Sequence, residues 1–217
     1  MNNDVIAFMP GLGVADPLTR YWLRQATLRL RREVCWLWRE RAAQGLVTPG
    51  PGPQTGAADL PPFADAAQGA LDLARYADDK LRFFAEDLTA QHLSQLLATP
   101  APEPHAAARG SMGWVVRELA LQPAQAFALA LALLPAVDSA AAAVIACCLN
   151  EPGRGEPTLA LAQRLWDAPD QFLCGFDPGH ALYRHGLFSP ATQGWGGPLL
   201  KAVSRSFYLT IRINLCL

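Results

Sequence analysis

The chain has 217 residues, 51% of them apolar and 17% charged, with a net charge of −1 at pH 7. That length supports one ordinary domain or two small ones, with a real hydrophobic core that needs no disulfide or metal. The composition excludes a charge-rich disordered tail, and the near-zero net charge removes any global electrostatic argument for nucleic acid.

Of 18 cationic residues only Lys80 and Lys201 are lysines, a skew that reads as genomic base-composition bias. The five cysteines (Cys35, Cys147, Cys148, Cys174 and Cys216) form no CxxC pair, so zinc spacing is absent and buried thiols in a reducing compartment are expected. Met1-Asn2-Asn3-Asp4 places no positive region before an apolar stretch, which reads as the absence of a signal peptide and a cytoplasmic location.

In chain order, an N-terminal segment, 1–45, predicts an amphipathic helix from Pro17 to about Gln44. Asp16 before Pro17 is a start signal, with a capping side chain followed by proline at the first helical position. Leu18, Tyr21, Trp22, Leu28, Val34, Cys35, Leu37 and Trp38 approximately fill its apolar side, while Arg29, Arg31, Arg32, Arg39 and Arg41 decorate the rest. Residues 46–61, rich in Pro and Gly, read as a linker. A helical region follows over 62–98, with Gly69 as its candidate divider, and a Pro/Ala linker occupies 99–110.

Residues 111–190 predict a helical domain. Ser111 opens a helix carrying Met112, Val115, Val116 and Leu119. Pro123 restarts one that is apolar nearly all round through Leu134, the pattern of a helix at the centre of its domain. Ala126 to Leu149 approaches the ~20 apolar residues of a membrane span. Pro135 and Asp138 interrupt it, and Asp138 is placed to cap a new helix at Ser139, so two short buried helices are expected in its stead. Pro157 to Trp166 supplies a further helix after a turn holding Gly153 and Gly155. The tail, 191–217, begins with the turn cluster Gly194 to Pro198, becomes helix-like from Leu199, and reads as stopping within an element. The fold class expected is all-α: an irregular multi-helix bundle with Pro/Gly-rich linkers, its N-terminal helices loosely tied to the 111–190 body.

The chemistry-bearing motifs are few. No Gly-Lys dipeptide occurs, so these residues hold no phosphate-cradling loop ending in Gly-Lys-Ser/Thr and no complete ATPase module. His180 and His185 are five apart, missing the i, i+3 or i, i+4 spacing of helical metal ligands, and read as surface or capping residues. Asp78, Asp79, Glu86 and Asp87 read as a solvated face, short of the paired acidic motifs that hold Mg²⁺ around a diphosphate. No Ser or Cys has a recognisable elbow or base. The arginine cluster from Arg29 through Arg31 and Arg32 to Arg41 interleaves with Trp22, Trp36 and Trp38, a pattern some nucleic-acid binders use for stacking; protein or intramolecular contacts are the favoured reading, with Arg29, Arg31, Arg32, Trp36 and Trp38 as the candidate interaction residues. No catalytic residue, cofactor or metal is expected, and no transmembrane span.

Tyr21-Trp22-Leu23-Arg24-Gln25-Ala26-Thr27-Leu28-Arg29-Leu30-Arg31-Arg32-Glu33-Val34 and Phe127 through Asp138 resemble the N-terminal region of AAA-type ATPases encoded with bacterial contractile injection systems. Leu149-Asn150, Pro157 through Leu165, Asp177 through His180 and Leu182 through Leu187 extend the resemblance over about 17–190. In such proteins the helical region precedes a winged-helix-like segment and an ATPase module that forms rings to remodel or help assemble the particle. The resemblance therefore implies a non-catalytic, partner-binding portion whose partners are injection-system components or copies of itself. Leu200 through Arg212 is instead similar to the opening helix of squalene and phytoene synthases, which maps Ser204, Ser206 and Phe207 beside a relic diphosphate pocket; the acidic motifs of that family are missing. The junction reads as a gene fusion, a truncated or frameshifted reading frame, or an assembly artefact, and a prenyl-synthase-related fusion is the alternative function.

Overall fold

Two helix starts share one carboxylate. Asp16 Oδ2 accepts the backbone N–H of Thr19 at 3.0 Å in the first turn of α1 (Pro17–Ala43), and that of Gly113 at 3.1 Å in the first turn of α4 (Met112–Glu118). The computed structural model describes residues 16–43, 73–103, 109–176 and 179–188. Among these the chain is all helical, with α2 (Leu73–Glu86), α3 (Leu88–Leu97), α5 (Pro123–Val137), α6 (Ser139–Leu149), α7 (Leu159–Leu165), α8 (Asp170–Gly175) and α9 (Ala181–Arg184) completing the order.

The helical stretch read over 62–98 is two helices where it is described. Asp87 divides them: it ends α2 by donating its N–H to Phe83 O at 2.9 Å, and its carboxylate then caps α3 through Ala90 N at 2.9 Å. The sequence favours Gly69 as the divider, a residue that lies outside the described residues, and reads Asp87 only as surface charge. Ser111 and Thr158 cap α4 and α7 in the same way, through Trp114 N and Leu161 N.

The α5–α6 hairpin forms, but of the two helices expected to be buried only α5 is enclosed: α6 buries Ala141, Ile145 and Cys148 and leaves Ser139, Ala140 and Ala143 exposed. Pro135 does not break α5, because it falls in the last turn, where its missing N–H removes one hydrogen bond and leaves the helix able to end naturally. The break comes at Asp138, whose extended backbone turns the chain and whose carboxylate accepts Ala140 N at 2.9 Å at the start of α6. Every residue from Ala124 to Leu134 is buried, so α5 occupies the middle of the bundle.

The expectation of a loosely tied N-terminal helix is corrected. α1 packs against α2, α3, α4, α5, α6 and α7, and its Leu18, Trp22, Leu23, Ala26 and Leu30 belong to the same core as Phe127, Leu131, Ile145, Leu161 and Phe172. Flexible linkers decide how a helix is connected, whereas each large side chain buried contributes about 1.5–3 kcal/mol to where it docks. A smaller cluster of Trp36, Phe83 and Ala90, flanked by Tyr76 and Phe84, joins the second half of α1 to α2 and α3. No described helix is long and apolar enough to cross a membrane.

Candidate functional site

Gln25, Arg29, Arg32, Glu33, Trp36 and Glu40 recur on α1 at helical spacing and so share one face. That face is buried against α2, α3 and α7, and its charges are matched from distant parts of the chain. Arg29 is 6% exposed; its Nη2 lies 2.8 Å from Asp167 Oδ2, and its Nη1 donates to Gln25 Oε1. Gln25 Nε2 in turn donates to Leu97 O at 3.2 Å, closing the end of α3 onto α1. Arg32 Nη2 bonds the other oxygen of Asp167, and Arg32 Nη1 donates to Ser94 Oγ at 3.3 Å.

Aromatic rings face both guanidinium groups. Arg29 Cζ sits 4.5 Å from the Trp166 ring centroid and 5.3 Å from that of Phe127, and Arg32 Cζ sits 4.4 Å from Phe84. These contacts suit weakly hydrated arginine in a dry setting. Burial raises the carboxyl of Asp167, but the charges and hydrogen bonds of Arg32 and Arg29 outweigh that and hold it below the usual carboxylate range.

A second charge group adjoins the first. Glu33 is 2% exposed and meets Lys80 Nζ at 2.5 Å, while Arg164 Nε lies 3.1 Å from Glu33 Oε1 without hydrogen-bond alignment. Arg164 Nη2 also donates to Cys148 O. Burial, reinforced by the Glu33 charge, pushes the Cys148 thiol up to about 12, which keeps it protonated and unreactive at neutral pH. One turn beyond, Trp36 Nε1 donates to Tyr76 Oη at 2.8 Å, and Tyr76 donates to Glu40 Oε2 at 3.3 Å. Burial raises both Tyr76 and Glu40 above their ordinary values.

This seam pairs and stacks its charges inside the bundle. Among the described residues no group of three or more His, Cys, Asp or Glu is arranged to hold a metal ion. His180 caps α9, its Nδ1 accepting Leu182 N at 3.2 Å, and His185 is exposed.

The sequence-derived interaction set divides. Arg29, Arg32 and Trp36 are interior and Arg31 is half-buried, while Trp38, read from the sequence as part of the apolar side of α1, is 65% exposed because it stands about 200° around the helix from the buried Trp36, so the five do not form one surface. Ser204, Ser206 and Phe207 lie outside the described residues. The sequence reading missed Glu33 and Asp167 as charge partners because nothing local links α1 to a residue more than a hundred positions downstream. It also missed that Leu81 and Leu88 are 64% and 82% exposed; for Leu81 a signal was available in α2, where Tyr76, Lys80, Phe83 and Phe84 share another face, whereas Leu88 opens α3. No family model matches the chain, and no curated protein or solved structure matches it.

Proposed function

We propose that this chain is a protein-interaction module: the non-catalytic N-terminal portion of an AAA-type ATPase that serves the assembly or remodelling of a contractile injection system. The observation that carries an interaction role is the set of large apolar side chains that stand exposed among the described residues, Trp38, Leu81 and Leu88. Exposed aromatic and leucine side chains of this kind are characteristic anchors of protein contacts. The family assignment is supported by the resemblance over about 17–190, which spans α1 and the α5–α6 hairpin.

Two assays test it. The purified chain is expected to show no ATP turnover, and detectable turnover would overturn the non-catalytic assignment. It is also expected to co-sediment with purified tail or ATPase components encoded at its own locus, through a contact that Trp38→Ala weakens about tenfold or more, the effect of losing an anchor worth 1.4 kcal/mol. Failure to bind any of those components overturns the injection-system reading.

A further inference from the structure

α2 and α3 are held to α1 in different ways. α3 is fastened along its length: Ala90 is enclosed and Leu93 buried, Gln25 Nε2 reaches Leu97 O at 3.2 Å, and Arg32 Nη1 reaches Ser94 Oγ at 3.3 Å. Its cap is its own, because Asp87 Oδ1 accepts Ala90 N without any group of α2. Of the described α2 side chains only Phe83 is buried, and none belongs to the main core.

What fastens α2 is a short row at i, i+4, i+7 and i+8: Tyr76, Lys80, Phe83 and Phe84. Tyr76 Oη joins Trp36 Nε1 to Glu40, the Phe83 ring lies 5.6 Å from that of Trp36, and the Phe84 ring faces the Arg32 guanidinium at 4.4 Å. Lys80 reaches two helices at once, its Nζ lying 2.5 Å from Glu33 Oε2 on α1 and donating to Arg164 O on α7 at 3.4 Å. This closure carries a cost at its centre. Glu33 is 2% exposed, Lys80 meets one of its oxygens, and the other, Oε1, is buried without a hydrogen bond, which is a penalty that water relieves when α2 departs. The joint between the two helices is a single extended residue, Asp87 (φ −76°, ψ 126°), so rotation there moves α2 without unwinding α3.

We propose that α2 is a hinged cover with Lys80 as its latch: it swings away from α1 as a unit about Asp87, while α3 and the main core stay in place. Closed, it hides Arg32, Glu33 and Trp36, so this side of α1 is offered to solvent or to a partner only in the open state. The opening is local because the departure of α2 takes one buried ring from the small cluster and nothing from the main core. The inference goes beyond the interaction role proposed above, and it stands or fails independently of what the chain binds.

Hydrogen exchange of the full chain, read by mass spectrometry at neutral pH without denaturant, tests it. The amides of residues 77–86 are expected to exchange together, about tenfold or more faster than those of α3 and α5. Lys80→Ala is expected to raise the α2 rate about tenfold again and leave α3 and α5 as they were, whereas Leu81→Ala, on the exposed side of the same helix, leaves the α2 rate within about twofold. Cys35 supplies a second reading. It is half-buried against the Trp36, Phe83 and Ala90 cluster, where burial and then the charge of Asp87 raise its thiol. Its alkylation by N-ethylmaleimide is expected to quicken about fivefold or more in Lys80→Ala, while Cys147 on α6 keeps its rate. Amides of α2 that exchange no faster than those of α5 overturn the proposal, because α2 then opens only with the whole bundle. So does a Lys80→Ala chain whose α2 exchange matches the parent's, or whose α5 exchange rises as much as that of α2. Faster α2 exchange without faster Cys35 labelling overturns it as well, since a helix fraying from its end uncovers nothing on α1.

Discussion

Asp167 holds two buried guanidinium groups while half its own surface remains in water, and Glu40, further along the seam, is a carboxyl that burial disfavours. The two therefore respond to pH with opposite sign. Asp167 has a depressed folded pKa, so its contribution is fully present above its ordinary value of about 3.9 and is lost as pH falls through the lower folded value. Glu40 has a raised folded pKa, so its contribution is present below about 4.3 and is lost as pH rises through the folded value. Glu40→Gln is accordingly expected to raise stability at neutral pH, with the gain vanishing below about pH 4. Asp167→Asn is expected to cost about 2 kcal/mol at neutral pH, the loss from a broken buried pair reduced for a partner that is half solvated. Urea unfolding at several pH values reads both, and an Asp167→Asn chain as stable as its parent at neutral pH contradicts this account of the seam.

At the scale of elements, side-chain caps from Asp, Ser and Thr fix the starts of five of the nine described helices. Asp16, Asp87, Ser111, Asp138 and Thr158 each satisfy a backbone N–H that the first turn of a helix leaves without a partner. Asp16 does so for two helices, and this requires the close approach of Gly113: a Cβ there would lie 2.3 Å from Asp16 Oδ2. Gly113→Ala is expected to displace that carboxylate from both helix starts and lower stability by about 1–2 kcal/mol, measured by thermal unfolding. An unchanged melting temperature would show that Asp16 caps α1 alone. Which caps were legible follows from range. Asp16-Pro17 and Asp138-Ser139 announce their own helices from adjacent residues, whereas the bond from Asp16 to Gly113 joins positions that no local pattern relates. Asp87 was passed over because three other acidic residues surround it, and an acidic run reads equally well as solvated surface.

At the scale of the molecule, the apolar periodicity of Pro123–Leu134 marks the central helix from sequence alone, because a helix apolar all round has to be enclosed. The same reasoning fails for α1. Its seven arginines look like a solvated side, yet Arg29 and Arg32 are interior, held by Asp167 and by the rings of Trp166, Phe127 and Phe84. Charge alone does not place a helix side in water when aromatic rings and one distant carboxylate lie opposite. The consequence is that residues 111–190 are not an independent body. A chain beginning at Ser111 would lack Leu18, Trp22, Leu23, Ala26 and Leu30, all buried in the common core, and would leave Asp167, Arg164 and the faces of α5 and α6 toward α1 without their partners. Each absent large side chain removes about 1.5–3 kcal/mol of burial, so their sum reaches the whole 5–15 kcal/mol by which a domain of this size is stable. Such a chain is expected to keep helical circular dichroism while binding a hydrophobic dye and unfolding without a cooperative transition. Adding a separate peptide spanning Asp16–Ala43 in excess is expected to restore the transition, because α1 carries its own cap and reaches the body through packing. A cooperative transition in the truncated chain alone would return α1 to the role of an appendage.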